Sequence, residues 1–558
     1  MKTLFVLSVT FVFSTVWAGA WRAPVKHLDQ SHASRKTASA GPCTRFSAGS
    51  VVHDPVDLFS QNGKLEVSLA YLSNTNEDNN IEFCYLTPDG TRSPTLHVKP
   101  GDTLTIHLTN RTLASSSASA MQMDMSAPGD ASQNCGPASM YDGATTNMHF
   151  HGLNVPPVCT QDDAIHTLIN AGQTYTYEIH LPADEPPGLY WYHPHIHGIS
   201  ENAVLGGASG AIVVDGLERF QQKASGLPER VFLIRDNLVP GTPKPGGTVP
   251  SWDLSLNFVP VPYLQKYPPA VVEMGLAEKQ LWRVVNAGAD TILDLQVVYD
   301  GKPQPLNLLG LDGVPTDSYA HPDHGVSLKK NNIFLPPSGR AEFVVTGPDR
   351  SVNKAQLITR AIDTGPAGDN DPSRPIAVIK TTQTASSGFK LPRHWRLPIP
   401  HRFAGIDRMQ NVPKRKLYFS EIISDPNDPS SPTDFFITAE GQTPAKFNPR
   451  NPPSITLTEG TVEDWVIENR SQENHEFHIH QIHFLLRERN GLPVPKNEMQ
   501  LLDTVDVPFW SGKGPYPSVT LRMDFRGNVA GDFVYHCHIL GHEDNGMMAL
   551  IRVLPRKK

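Results

Sequence analysis

Short apolar runs, each ended by glycine, proline, asparagine or aspartate, recur along the whole chain. Typical runs are "TLHVKPGDTLTIHLTN" at 95–110, "KQLWRVVNAG" at 279–288 and "SITLTEGTVEDWVIEN" at 454–469. Runs of this length between turn residues are typical of β-strands, and no long segment shows the 3.6-residue period of an amphipathic helix. With 42 glycines and 50 prolines available for turns, the pattern predicts an all-β protein.

The strand-like runs fall into three sets, which predict three domains at 46–218, 219–385 and 414–558. A chain of 558 residues is long enough for about three or four domains. A proline-rich basic stretch at 386–413 is predicted to be a linker. The first and third sets share one phrase, which runs apolar strand, glycine turn, apolar strand, asparagine, at 96–110 and 455–469. We interpret it as a weak repeat of a β-sandwich unit.

The N-terminal residues 1–20, "MKTLFVLSVTFVFSTVWAGA", combine one lysine, an apolar stretch and small residues at their end. This pattern predicts a secretory signal that is too short to span a membrane. Residues 21–45 are predicted to be a loosely ordered arm. The mature protein is therefore expected to be periplasmic or extracellular, without a stable membrane anchor. The net charge of −8 gives no indication of a nucleic-acid partner.

Five cysteines are distributed unevenly. Four lie in the first third of the chain, and Cys537 stands alone near the end. In an exported protein an even set predicts disulfides, and four cysteines allow three connectivities. We expect the pairings that close the shorter loops, Cys43–Cys84 and Cys135–Cys159.

Histidines concentrate in four short motifs. Random placement of 23 histidines gives about one His-x-His pair, but the sequence contains five. The motifs are "HFHG" at 149–152, "YHPHIHG" at 192–198, "HEFHIHQIHF" at 475–484 and "HCHILGHEDNGMM" at 536–548. One such pair is more often surface or core histidine than a ligand, whereas four motifs together predict a metal centre.

The last motif places a cysteine between two histidines on a predicted strand. Because side chains alternate across a strand, His536 and His538 point one way and Cys537 points the other. On the cysteine side, His475, His542 and Met547 can complete two imidazoles, a thiolate and a weak thioether. This donor set is typical of a blue-copper electron-transfer site, since zinc rarely recruits methionine and calcium or magnesium prefers oxygen ligands.

The remaining histidines are expected to face a second site. They are His149, His151, His193, His195, His478, His480, His536 and His538. Eight imidazoles are too many for one ion, so they favour a cluster of ions with open positions. A one-electron site connected to such a cluster suits an acceptor of several electrons, of which dioxygen is the natural example.

The four motifs, in this order and spacing over residues 95–553, resemble the copper-binding signatures of the multicopper oxidases, the laccase-like family. The resemblance implies three cupredoxin-like Greek-key β-sandwich domains and four coppers per chain. It implies type 1 ligands His475, Cys537 and His542 with axial Met547, and type 2 ligands His149 and His478. It implies type 3 ligands His151, His193 and His538 for one copper and His195, His480 and His536 for the other. For the second domain, which has no His-x-His pair, the resemblance implies a structural and substrate-shaping role.

Several residues near the motifs have weaker interpretations. Glu543 matches a carboxylate that moves protons to reduced oxygen in some relatives, which adds it to Cys537, His536 and His538 as a predicted catalytic residue; the alternative is an exposed acid. Relatives carry an acid near the type 2 copper where this chain has Asp162 and Asp163, although its loop is longer. His197 and His483 are expected to pack against or support the ligands. The segment "MQMDM" at 121–125 is expected to be an exposed loop, with Cu(I) binding as the alternative.

The sequence therefore predicts an exported, monomeric copper oxidase that takes single electrons from phenolic or aromatic amine donors and reduces dioxygen to two waters. One alternative is a metallo-oxidase acting on Cu(I) or another metal ion, although residues 386–450 contain a single methionine, Met409. A second is a non-catalytic copper-binding or assembly protein, which the complete ligand set argues against. A zinc hydrolase is a remote third, since it has no use for Cys537 and Met547 together.

Overall fold

The structure is a computed structural model that describes residues 41–76, 79–112, 135–238, 248–263, 268–321, 325–383, 402–425 and 432–556. The predicted signal at 1–20, nearly all of the N-terminal arm, most of the linker and the segment at 121–125 lie outside these residues. The described residues form six β-sheets, which pack in pairs as three β-sandwiches.

The first sandwich packs a sheet of order β1-β4-β9-β8-β6 on one of order β3-β2-β5-β7. Its strands are β1 (Asp57–Phe59), β2 (Lys64–Thr75), β3 (Ile81–Leu86), β4 (Thr95–Val98), β5 (Thr103–Asn110), β6 (His149–His151), β7 (Thr174–His180), β8 (Gly188–His193) and β9 (Gly210–Val214). Along β5, Leu104, Ile106 and Leu108 are fully buried, while the residues between them are partly exposed. This is the alternation expected of a strand that covers a core with one face.

The second sandwich is the largest, with sheets of eight and six strands. Its strands are β10 (Glu229–Leu238), β11 (Trp252–Leu256), β12 (Val259–Val261), β13 (Ala270–Gly275), β14 (Lys279–Asn286), β15 (Leu293–Tyr299), β16 (Lys302–Pro303), β17 (Leu306–Leu311), β18 (Val314–Pro315), β19 (Leu328–Lys330), β20 (Ile333–Leu335), β21 (Arg340–Thr346), β22 (Ala355–Thr359) and β23 (Arg374–Thr382). Its core is built around Trp282 and Phe343, which come from neighbouring strands of one sheet.

The third sandwich packs a seven-stranded sheet on one of order β26-β35-β34-β28-β32. Its strands are β24 (Lys414–Ile423), β25 (Thr433–Ala439), β26 (Ile455–Thr458), β27 (Val462–Asn469), β28 (His475–Ile479), β29 (Phe484–Arg489), β30 (Leu492–Pro493), β31 (Leu501–Leu502), β32 (Thr504–Val507), β33 (Ser518–Asp524), β34 (Gly531–Cys537) and β35 (Met548–Leu554). Short helices are α1 (Ser200–Leu205), α2 (Leu217–Phe220) and α3 (Leu540–Asp544), and 3-10 turns lie at Gln222–Ala224 and Ile406–Arg408.

The phrase shared by the first and third sequence sets has the same structure in both sandwiches. It forms β4 and β5 in the first and β26 and β27 in the third. β4 and β26 each run parallel to the last strand of their sandwich along the chain, which is β9 or β35. The final asparagine has the same role in both: Asn110 and Asn469 are fully buried, and each donates its side-chain amide to two backbone carbonyls. The two phrases are therefore equivalent in position and in hydrogen bonding.

The all-β, three-sandwich prediction is confirmed by these sheets, and both disulfide predictions are confirmed as well. Cys43 pairs with Cys84 and Cys135 with Cys159, and Cys537 is the free, buried cysteine. The second bridge closes a loop with a sequence separation of 24 that contains β6, so it restrains the chain around the first histidine motif. The predicted domain boundaries stay predictions.

Candidate metal centre

Strand pairing brings the histidine motifs together two by two. In the first sandwich, β6 and β8 are antiparallel neighbours, with His149 opposite His193. In the third, β28 and β34 are antiparallel neighbours, with His478 opposite His536. Side chains opposite each other on one face of an antiparallel pair lie about 5 Å apart, so each sandwich presents a compact set of imidazoles.

The eight predicted cluster histidines meet where the first and third sandwiches contact each other. All eight are at most 3% exposed. Nε2 of His536 lies 3.3 Å from Nε2 of His195 and 3.2 Å from Nε2 of His480. The ring centroids of His538 lie 5.1 Å from those of His151 and 5.7 Å from those of His193. The ring centroids of His149 and His478 are 6.2 Å apart.

These imidazoles are suited to binding a metal ion rather than a proton. Burial lowers the pKa of six of them well below the ordinary value, and it lowers the pKa of His536 to about 3; the six are His151, His193, His195, His478, His480 and His538. Among the described residues, buried ring nitrogens of His149, His151, His193, His478 and His538 find no hydrogen-bond partner. A buried polar atom without a partner is costly, and a neutral imidazole with an unused lone pair is a metal ligand. The residues therefore fit a group of metal ions.

The cysteine side of β34 holds a second, separate donor set. Cys537 Sγ lies 3.7 Å from Nδ1 of His475 and 3.8 Å from Nδ1 of His542, and these two nitrogens are 3.1 Å apart. Met547 is fully buried, and its backbone carbonyl accepts the N–H of Cys537 at 3.0 Å. Burial raises the pKa of the Cys537 thiol, so a metal ion is what would hold it as thiolate. Two imidazoles and a thiolate fit a soft ion such as copper.

Hydrogen bonds behind the cluster orient its rings. Asp162 Oδ1 accepts Nδ1–H of His149 at 3.0 Å and the backbone N–H of Phe150 at 3.0 Å, while its other oxygen accepts Gln481 at 2.7 Å. Because a carboxylate only accepts, His149 is left with Nε2 as its unprotonated nitrogen. Asp163 contacts His166 instead of the cluster. Of the two acids singled out from sequence, Asp162 is therefore the one that touches a predicted ligand.

Two carboxylates lie at the outer nitrogens of the Cys537 group. Glu421 Oε1 is 3.0 Å from Nε2 of His475, which Ser471 Oγ also contacts at 2.6 Å. Glu473 Oε1 lies 3.4 Å from Nε2 of His542. The Glu421 side chain is 11% exposed, so it lies between the Cys537 group and solvent. Sequence reasoning missed these acids because each lies in an ordinary strand or loop phrase with no ligand spacing.

The remaining residues singled out from sequence have defined surroundings. Glu543 lies on α3 and is fully buried, so the alternative of an exposed acid is wrong; burial, with Asp544 adding to it, raises its pKa well above the ordinary range. His483 is fully buried and donates Nε2–H to the Asp312 carbonyl at 2.8 Å. His197 packs edge-on against Phe447, and burial lowers its pKa to about 4.

Comparison with known proteins finds similarity to one family. Models of the multicopper oxidase family match residues 141–219 and 426–557, the segments that contain all four histidine motifs. The chain is 22% identical over 481 residues to multicopper oxidase LPR1 homolog 3 of Oryza sativa subsp. japonica, covering 74% of this chain and 86% of the relative. It is 23% identical over 410 residues to a laccase of Bacillus subtilis, covering 66% of this chain and 71% of that protein.

Solved structures share the whole architecture. A variant of the McoA multicopper oxidase from Aquifex aeolicus superposes with a TM-score of 0.65 at 18% identity, covering 91% of this chain and 100% of that one. A multicopper oxidase from Campylobacter jejuni, described as a metallo-oxidase, superposes with a TM-score of 0.63 at 21% identity, covering 92% and 97%. The family models and the sequence relatives together support an oxidoreductase of the multicopper oxidase type, whose metal is copper. The solved structures show that the chain has the same fold.

No helix among the described residues is long and apolar enough to cross a membrane.

Proposed function

We propose that this protein takes single electrons from phenolic or aromatic amine donors and reduces dioxygen to two waters with four bound coppers. We propose further that it acts as a monomer after export, in the periplasm or outside the cell. The observation that carries the proposal is the alternation of side chains at the end of β34 and the residue that follows it. It puts Cys537 beside His475 and His542, while its neighbours His536 and His538 belong to the eight-histidine cluster.

The proposed ligands keep the assignment implied by the sequence. Type 1 copper would be held by His475, Cys537 and His542 together with Met547, and type 2 copper by His149 and His478. The type 3 coppers would be held by His151, His193 and His538 and by His195, His480 and His536. The unpartnered buried nitrogens and the mixed nitrogen and sulfur donors support this assignment.

When bound, copper would supply one-electron chemistry at the Cys537 group and four-electron reduction of dioxygen at the cluster. The chain supplies the connection between them. Nδ1–H of His536 donates to the carbonyl of Cys537 at 2.8 Å, so the thiol and the neighbouring imidazole are joined by covalent bonds and one hydrogen bond. The same bond leaves Nε2 of His536 unprotonated and directed at His195 and His480. Buried Glu543, on the helix that carries His542, is proposed to supply protons to reduced oxygen.

Organic donors are supported by the single methionine in 386–450 and by Glu421, whose carboxylate can accept a phenol O–H beside His475. The same acid, with Glu473, favours a second candidate, oxidation of a metal ion. Carboxylate oxygens suit Fe(II) or Mn(II) better than the soft Cu(I), so the ion would be one of the harder kind. Both candidates use the same copper sites and differ only in the donor.

A copper count, a visible spectrum and oxygen uptake test the proposal. We expect about four coppers per chain, a blue protein, and a kcat/KM for a substituted phenol that exceeds the values for Fe(II) and Cu(I). A copper-reconstituted protein that stays colourless would overturn the proposal.

The variant Glu421→Gln, with Glu440→Gln at an exposed position as control, separates the two donors. The metal-ion candidate would be established instead by two results together. The unmodified protein would have a higher kcat/KM for Fe(II) than for the phenol, and Glu421→Gln would lower the value for Fe(II) at least tenfold while phenol oxidation is kept.

A further inference from the structure

One arginine of the second sandwich reaches both other sandwiches. Arg340 begins β21 and is fully buried. Its Nε donates to the carbonyl of Leu189 in the first sandwich at 3.3 Å. Its two terminal nitrogens donate to the two carboxylate oxygens of Asp503 in the third sandwich, at 2.7 and 2.5 Å. A bidentate arginine–carboxylate pair fixes the orientation of both groups.

Asp503 in turn contacts two of the proposed copper ligands. Its Oδ1 lies 3.2 Å from Nε2 of His151, and its backbone carbonyl accepts Nδ1–H of His478 at 2.8 Å. A carboxylate paired with arginine only accepts hydrogen bonds, so His151 carries its proton on Nε2. Nδ1 of His151 and Nε2 of His478 are then the lone-pair nitrogens, and neither has a hydrogen-bond partner among the described residues.

The surroundings leave Arg340 and Asp503 little freedom. Asp312 accepts the backbone N–H of Arg340 at 2.9 Å and that of Asp503 at 3.2 Å, so both ends of the pair are tied to one turn of the second sandwich. Gly152, directly after the first histidine pair, has a φ of +88°, and a Cβ there would lie 2.3 Å from the guanidinium and 2.7 Å from the Asp503 carboxylate. Because Gly152 packs directly against Arg340 and Asp503, the pair also restrains the end of β6, the strand that holds His149 and His151.

We propose that Arg340 is a positioning residue for the histidine cluster: by holding Asp503, it selects the metal-binding nitrogens of His151 and His478. The second sandwich thereby takes part in building a copper site to which it contributes no ligand. This inference rests on the proposed function, because the orientation of the rings matters only if the cluster binds copper.

The test compares Arg340→Lys with Arg283→Lys. Arg283 lies on the neighbouring strand β14, is equally buried, and pairs with Glu229 and Glu342 inside the second sandwich, so it controls for loss of a buried ion pair. Lysine keeps the charge but cannot hold a carboxylate with two parallel hydrogen bonds. Each protein is reconstituted with copper, and copper content, visible absorbance and electron paramagnetic resonance are measured before and after exposure to a chelator.

In Arg340→Lys we expect an unchanged type 1 absorbance, because Cys537, His475 and His542 do not touch the arginine. Cluster copper should be lost to the chelator at concentrations roughly 10–100-fold lower than for the unmodified protein, with an altered type 2 signal. The kcat should fall while KM for the donor stays constant, since the donor meets the type 1 site. Arg283→Lys should keep copper and both signals even if its thermal midpoint falls.

Full cluster copper in Arg340→Lys, with the chelator resistance of Arg283→Lys, would overturn the inference and leave the proposed function intact. An unmodified protein that binds no copper would overturn both. Should Arg340→Lys fail to fold, Asp503→Ala carries the same test, because it removes the carboxylate that contacts His151 and keeps Arg340. Loss of cluster copper alone in that variant supports the inference, and full retention overturns it.

Discussion

At the scale of single residues, Cys537 separates the two proposed sites. Its thiol faces His475 and His542, whereas His536 on the same strand and His538, the residue after the strand, face the cluster. Replacing it with serine keeps a small side chain but exchanges the soft thiolate for a hard, weakly acidic hydroxyl. The hydroxyl is a poor copper ligand at neutral pH. We expect Cys537→Ser to lose the blue colour and to keep about three coppers with the type 2 signal. Oxidation of organic donors should fall to background, since electrons have no entry point.

Copper analysis and electron paramagnetic resonance of Cys537→Ser check this result. Loss of all copper would mean that Cys537 holds both sites together, and the alternation argument would be wrong. A blue and active variant would show that another residue supplies the type 1 sulfur.

At the scale of elements, His97 joins three strands of the first sandwich. It lies on β4 and is 1% exposed; its ring contacts Asp57 of β1 at 3.2 Å and Asp215, directly after β9, at 3.0 Å. Burial opposes the charged imidazole, but the hydrogen bonds to Asp215 and Asp57 outweigh it and raise the pKa of His97 to about 9. The histidine is thus an imidazolium between two carboxylates at neutral pH.

This charge makes the stability of the sandwich depend on pH. The folded pKa of His97 exceeds the unfolded value, so its contribution is complete below about pH 6.5 and is lost as the pH rises through about 9. We expect His97→Gln to remove roughly 3 kcal/mol of pH-dependent stability over that interval. Thermal unfolding of the copper-free protein at pH 6 and pH 9.5 measures it, with His180→Gln, an exposed histidine, as control. Equal pH dependence in His97→Gln and the unmodified protein would refute the assignment.

At the scale of the whole molecule, glycines let the first and second sandwiches approach closely. Gly313, in the turn between β17 and β18, has a φ of +81°, and a Cβ there would lie 2.4 Å from the ring of Tyr190 on β8. Its carbonyl accepts the Tyr190 hydroxyl at 3.1 Å, and a Cβ on Gly188 would lie 2.3 Å from that same carbonyl oxygen. At this point the two sandwiches approach so closely that neither glycine has room for a methyl group.

Gly313→Ala should therefore destabilise the protein by roughly 2–4 kcal/mol, from backbone strain together with overpacking against Tyr190. Gly301→Ala is the matched control: its φ is +78°, but a Cβ there meets nothing within 4 Å, so only strain of about 1 kcal/mol is expected. Urea denaturation of both variants tests the difference. Equal losses in the two would mean that the contact with Tyr190 can relax at no cost.

The sequence identified those parts of the molecule that depend on neighbours along the chain. Alternation predicted that Cys537 and its two neighbouring histidines face opposite ways, because the period of two is a property of the extended backbone itself. The odd cysteine was recognisable because the other four could pair, and the repeated phrase identified equivalent strands in two sandwiches. The proposed ligands were identifiable because each motif holds several of them within a few residues.

The tertiary structure alone decided what supports those ligands. Arg340 and Asp503 are 163 residues apart, and Asp503 and His151 are 352 apart, so no local spacing relates them. Glu421 and Glu473 likewise reach the Cys537 group from different elements. Such contacts arise when strand register and the packing of three sandwiches bring distant chain segments within hydrogen-bond distance. A sequence motif records neighbours along the chain, whereas the hydrogen bonds that orient a metal ligand depend on neighbours in space.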